Sequence, residues 1–147
     1  MIKKSCYILG HKRLNCENRE KIFELLHDKI EELAQDGYTD FIFCGDGDFN
    51  KAANSAIFIL KHRYSNIKTV YYMADGSKSN KELLQMYDEV AFLTGEEDCG
   101  AILQKRAIID NSDYCIFYVA NNSCIKDIIN YAENKNKPYI NFSKIIE

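Results

Sequence analysis

The sequence predicts a three-layer, doubly wound, Rossmann-like α/β fold, with a parallel sheet held between two layers of helices. Three observations carry this. Short apolar runs alternate with amphipathic stretches at helical spacing. The runs are continuously apolar, the pattern of strands buried on both faces of a parallel sheet. Nothing interrupts the alternation: the only proline is Pro138, and no Ser/Gly/Pro-rich linker, internal repeat or low-complexity tract divides the 147 residues. A single domain spanning 1–147 is expected, a length at which a chain buries a core without disulfides or a metal.

The elements follow in order. Ser5 to Leu9 reads as the first strand, ending at Gly10. Asn18 to Gln35 is helical, with Ile22, Leu26, Lys29/Ile30 and Leu33 on one face, Asn18 as N-cap and Gly37 as terminator. Asp40 to Cys44 is the second strand, closed by Gly45-Asp46-Gly47. Phe49 to Arg63 is helical, with Ala52, Ala53, Ala56, Ile57 and Leu60 on one side. Lys68 to Met73 is the third strand, Ser79 to Tyr87 a short helix, and Glu89 to Leu93 the fourth strand. Ala101 to Asn111 is helical, Asp113 to Val119 a strand, Ser123 to Asn134 helical, and Tyr139 to Phe142 the last strand. Asp110 and Asp113 bracket a helix-to-strand turn, where capping accounts for them. Helices between successive strands supply right-handed crossovers.

The totals exclude several function classes. Hydrophobic residues at 46% and charged residues at 28% describe a globular chain, not a disordered one. A net charge of -3 argues against nonspecific nucleic-acid binding, which rests on phosphate neutralisation by Lys and Arg. Six cysteines (Cys6, Cys16, Cys44, Cys99, Cys115 and Cys124) form no CxxC pair, and no histidine sits at zinc spacing. Buried, reduced thiols are the expectation, and no metal. The apolar run after Lys4 is too short for a signal sequence, and none reaches the length of a membrane span. A cytoplasmic protein without a membrane partner is expected.

In an open parallel sheet a ligand binds outside the carboxyl ends of the strands, where strand order reverses. The sequence names those ends: Gly10-His11-Lys12-Arg13, Gly45-Asp46-Gly47-Asp48, Ala74-Asp75-Gly76, Thr94-Gly95-Glu96 and Asn121-Asn122-Ser123. Gly45-Asp46-Gly47-Asp48 is the most informative. Two glycines between a buried strand and a helix let backbone N–H groups face an anion. Two aspartates compete for the same positive dipole, and as a first-turn acidic pair they stabilise the helix by themselves. His11, beside Lys12 and Arg13, has two readings: a donor to an anionic ligand, or a loop residue bonded to backbone. No Ser-His-Asp or Cys-His nucleophile arrangement is present in the pattern.

Taken together, these segments resemble a known family. The opening strand with Gly10-His11-Lys12 resembles the T-G-H-R start of the YspA/YpsA-like branch of the SLOG superfamily, a Rossmann-like family long filed as a domain of unknown function. Cys44-Gly45-Asp46-Gly47-Asp48-Phe49-Asn50 with Ala52-Ala53 looks like its G-G-A-x-G-F-D…A-A loop and helix. Leu60-Lys61-His62-Arg63-Tyr64 is similar to L-K-x-x-Y-P, and Arg106 to Asp113 to R-N-x-x-M-V-D-x-S-D. Tyr131-Ala132 before Lys137-Pro138-Tyr139-Ile140 matches the closing Y-A…G-K-x-I. The likeness runs over nearly the whole chain, and the order and spacing of the motifs make the set specific.

The resemblance implies a nucleotide-type ligand, and for some relatives phosphoribohydrolase activity on nucleoside monophosphates. Residue by residue, it adds Arg106 to the ligand-lining candidates Gly10, His11, Lys12, Gly45, Asp46, Gly47, Asp48, Thr94 and Ser123. It offers Arg106 and Asp127 as the only candidates for catalysis. Two departures stand out: Asp46 replaces a family glycine, and Ser123-Cys124-Ile125 replaces G-G-T, where Cβ atoms obstruct close backbone approach. Three readings result. The first is a module binding a nucleotide-derived small molecule without a resident cofactor. The second is a divergent N-glycosidic hydrolase using Arg106 and Asp127. The third is a protein-interaction module with a lapsed pocket. A homo-oligomer is left open.

Overall fold

Six apolar runs pair edge to edge in a computed structural model that describes residues 4–10, 17, 19–44, 47–73, 85–92, 101–119 and 126–143. The strands are β1 (Lys4–Gly10), β2 (Tyr38–Phe43), β3 (Lys68–Met73), β4 (Glu89–Phe92), β5 (Tyr114–Tyr118) and β6 (Tyr139–Asn141). Every pairing is parallel, and the order across the sheet is β4-β3-β2-β1-β5-β6. The helices are α1 (Arg19–Gln35), α2 (Asp48–Leu60), α3 (Ala101–Asp110) and α4 (Lys126–Asn134). The α/β architecture expected from the sequence is therefore present. Of the short helix expected at 79–87, residues 85–86 are helical and 79–84 lie outside the described residues, as does the expected N-cap Asn18.

Successive side chains of a strand point to opposite faces, and here both faces are covered. On one face Cys6 and Ile8 of β1, Phe41 and Phe43 of β2, Tyr71 of β3 and Ile116 of β5 meet Ile22, Leu26, Ile30 and Leu33 of α1. Phe49, Ala53, Ala56, Ile57 and Leu60 of α2 complete that layer. On the other face Tyr7, Leu9, Ile42, Val70, Cys115 and Phe117 meet Ile108 and Ile109 of α3 and Ile128, Ile129 and Ala132 of α4. Consistent crossover handedness gives this split. From β1 the chain steps outward one way through β2, β3 and β4. It then returns past β1 and steps the other way through β5 and β6.

The ends of the elements have local causes. α1 stops at Gly37, whose φ of 96° suits glycine, with Gly37 N donating to Ala34 O at 3.2 Å. The turn after α3 is closed by Asn111 and Ser112, not by its aspartates. Asn111 Nδ2 donates to Ala107 O at 2.9 Å and Ser112 Oγ to Ile108 O at 2.6 Å. Asp113 instead ties β5 to β1: its carboxylate accepts from Ser5 N at 2.9 Å while its own N–H donates to Ser5 O at 2.8 Å. Asp110 accepts from the Tyr131 hydroxyl at 2.8 Å, linking α3 to α4. Capping expectations misplace these two because each side chain finds a partner distant in sequence. At the β4 entry, Asp88 pairs with Lys61 and accepts from Thr69 N at 2.9 Å. Burial opposes its ionisation, but these donors outweigh burial and hold the carboxyl below its usual value.

Cys6, Cys44 and Cys115 are thiols rather than disulfides, and burial pushes the Cys115 thiol up to about 12. Tyr7 is fully buried in the middle of the sheet, and among the described residues its hydroxyl has no hydrogen-bond partner. A buried, unsatisfied polar group costs about 1–3 kcal/mol. Tyr7→Phe is therefore expected to raise the unfolding free energy by about 1 kcal/mol. Denaturant melts of the two proteins check this, and a loss of stability would show that the hydroxyl contributes.

Candidate functional site

Strand order reverses between β1 and β5, adjacent strands from which the chain builds the sheet in opposite directions. Their carboxyl ends lie side by side, with Gly10 paired to Tyr118. This is the crevice position for a ligand in a doubly wound sheet.

Gly10 has a packing reason to be glycine. The Phe49 side chain lies against it so closely that a Cβ at position 10 would stand 2.4 Å from Phe49 Cγ. Phe49 is fully buried in the first turn of α2, and its ring sits 5.7 Å from Tyr118 and 6.1 Å from Phe142 between centroids. One aromatic cluster therefore seats the start of α2 beneath the crevice. The N-terminal end of α2 then faces the same rim. Gly47 is its N-cap residue and offers no side-chain cap, and Lys51 N donates to Gly47 O at 3.0 Å. The first N–H groups of a helix have no partner within it.

Asp48 opens α2 and lies 3.4 Å from Arg19, the first residue of α1, so the two helix starts are tied together. The pair is partly exposed, which makes it worth about 0–1 kcal/mol. Its effect is local: it sets a guanidinium against a carboxylate that otherwise adds negative charge beside the helix start. Arg19 and Asp48 also line a groove of about 660 Å³ between α1 and α2, with Phe23 and Ala52 as its apolar residues and Glu20, Glu24, Lys51 and Ser55 around them.

On the far side of the crevice, the exit of β5 is fixed by a buried polar group. Asn141 of β6 accepts from Val119 N at 3.0 Å and donates to Val119 O at 2.9 Å. Ser143 Oγ donates to the same carbonyl at 2.8 Å. The side-chain amide thus extends the β5–β6 ladder by one residue, and no backbone polar group of Val119 is left unpaired in the core.

The sequence candidates separate under this geometry. Gly10 lies at the switch point, and Gly47 and Asp48 at the start of α2, whose Phe49 packs on Gly10. His11, Lys12, Gly45, Asp46, Thr94 and Ser123 lie outside the described residues. Arg106, on α3, places its guanidinium 5.1 Å from the centroid of the Tyr131 ring on α4, with Nε buried and, among the described residues, without a hydrogen-bond partner. Asp127 is exposed in the first turn of α4. Among the described residues no group of three or more His, Cys, Asp or Glu side chains is arranged to hold a metal ion.

Sequence reasoning missed Tyr118, Arg19 and Asn141, and it named Phe49 only as part of a loop motif, without its packing role. Asn141 carried a signal, a carboxamide inside the apolar run Tyr139 to Phe142. Phe49 stood inside the loop motif Cys44 to Asn50, but its partners Gly10, Tyr118 and Phe142 are distant in sequence and the motif does not name them.

No protein-family model matches the sequence, and no curated protein does either. Solved structures do resemble it. The X-ray structure of TM1055, a structural genomics target, superposes with a TM-score of 0.61 at 15% identity, covering 92% of this chain and 72% of that one. The molybdenum cofactor carrier protein of Chlamydomonas reinhardtii superposes with a TM-score of 0.56 at 14% identity, covering 94% and 75%. At these identities the likeness establishes a related Rossmann-like fold.

The Gly10–Phe49 contact leaves no room for a methyl group. Gly10→Ala is expected to lower the unfolding free energy by about 1–3 kcal/mol, the usual range for overpacking. Denaturant unfolding measures it, and an alanine variant as stable as the parent protein would refute the packing account.

Proposed function

We propose that this protein binds a nucleotide-derived small molecule in the crevice at the carboxyl ends of β1 and β5. The observation that carries the reading is the switch point itself, where a side-chain-free Gly10 and the Phe49-anchored start of α2 converge. The positive end of the α2 dipole favours an anionic group at this rim, and Arg19 offsets the charge of Asp48. A structural neighbour is a carrier of the molybdenum cofactor, which is compatible with a small-molecule role for this fold. The resemblance to the YspA/YpsA-like branch narrows the ligand to the nucleotide class.

The reading is binding rather than turnover. A phosphoribohydrolase needs its arginine and its acid aimed at one substrate in a preorganised site. Arg106 is engaged over Tyr131, and Asp127 stands exposed on α4.

A thermal-shift screen tests the proposal, with separate arms for nucleoside monophosphates, cyclic nucleotides, ADP-ribose derivatives and the molybdenum cofactor. A ligand at 100 times its Kd stabilises the folded state by about 2.7 kcal/mol. For a domain of this size that is a rise in Tm of roughly 5–10 °C. We expect at least one nucleotide arm to give such a shift, with the compound recovered unhydrolysed. A shift in the molybdenum cofactor arm alone would overturn the nucleotide assignment, and no shift in any arm would overturn the binding reading.

A further inference from the structure

The groove between α1 and α2 begins where the two helices begin. Arg19 and Asp48, their first residues, line one end of it, and Asp48 precedes the Phe49 that packs on Gly10. Its volume of about 660 Å³ falls within the roughly 300–1,000 Å³ of small-molecule sites. Side chains three and four positions apart share a face of a helix, and the two sides of this groove differ in chemistry. The α1 side offers Glu20 and Glu24, one turn apart, and the α2 side offers Lys51 and Ser55, also one turn apart. Half-buried Phe23 and Ala52 add apolar surface. Arg19 and Asp48 pair with each other at 3.4 Å. Among the described residues, Glu20, Glu24 and Lys51 have no ion-pair partner.

We propose that this groove takes the base of the nucleotide-derived ligand and selects an amino-bearing base, of which adenine is the simplest case. The inference rests on the nucleotide reading and says which nucleotides it concerns. Charge chooses the occupant. Three carboxylates and two cations line the groove, so a ligand group of either charge meets its own sign there. A neutral, flat ring with polar edges avoids that cost. Carboxylates accept hydrogen bonds and an ammonium only donates them. The ligand must therefore bring donors to the α1 side and acceptors to the α2 side. Adenine carries an exocyclic amine on one edge and unprotonated ring nitrogens on the others, and its face is a stacking partner for the Phe23 ring. Its phosphate is then left for the positive end of the α2 dipole, at the end of the groove that Asp48 and Arg19 share with the rim of the crevice.

Calorimetric titration of the full chain tests this with two compounds, AMP and purine riboside monophosphate, which differ only in the amine. AMP should bind about tenfold tighter, the usual worth of a hydrogen bond to a charged group. Glu20 and Glu24 are exposed helix residues, so the double variant Glu20→Ala with Glu24→Ala should keep the parent's circular dichroism spectrum. In that variant the ratio of the two affinities should fall to about one. Equal affinities in the parent protein would overturn the groove assignment and leave the nucleotide reading standing. So would a preference for AMP that survives in the folded double variant. Failure of both compounds to bind would overturn it too, and the other nucleotide arms of the thermal-shift screen then show whether the nucleotide reading falls with it.

Discussion

The contact between Gly10 and Phe49 is the constraint on which the crevice depends. A strand ends on a residue without a side chain, and an aromatic ring from the next crossover but one occupies the space. This contact fixes how far α2 advances over the sheet, and so where its N-terminal end lies. It also makes Gly10 structurally necessary whatever ligand approaches from above. Glycine at such a point serves close approach of another group, and here the group already present is Phe49.

The remainder of the rim is built outward from that contact. Tyr118 closes the aromatic cluster from β5, and Phe142 closes it from beyond β6. The Asn141 amide holds Val119 as a further strand residue would, so β5 leaves the sheet at a fixed height. Arg19 and Asp48 join the two helix starts on the opposite side. Rigid strands and seated helix ends supply the framework, and loops between them supply chemistry. The helices of the second face show how a residue carried over by resemblance acquires a local explanation. The Arg106 guanidinium packs over Tyr131, whose hydroxyl is bonded to Asp110, and the three join α3 to α4.

The sheet was legible in the sequence because burial on both faces leaves a pattern: Cys6 to Leu9 and Tyr114 to Tyr118 contain almost no break in apolar character. The helix faces were legible for the same reason, with Ile22, Leu26, Ile30 and Leu33 recurring at helical spacing. What the pattern does not encode is partnership across the chain. Asp113 reads as a turn residue, yet it bonds the backbone of Ser5, 108 positions away. Gly10 reads as a loop glycine, yet it is shaped by Phe49. The site was legible as far as the ends of the strands, which topology dictates. Which side chains complete it depends on long-range packing, and short motifs carry no record of that.

The central claim is that binding occurs at the carboxyl ends of β1 and β5. Amide chemical-shift mapping tests it most directly, using isotope-labelled protein titrated with the compound that most raises its Tm. The account predicts that the largest changes fall on the amides of Gly10, Gly47, Asp48, Phe49, Tyr118 and Val119. Changes concentrated at the opposite ends of the strands, around Ser5, Asp40 and Lys68, would contradict it.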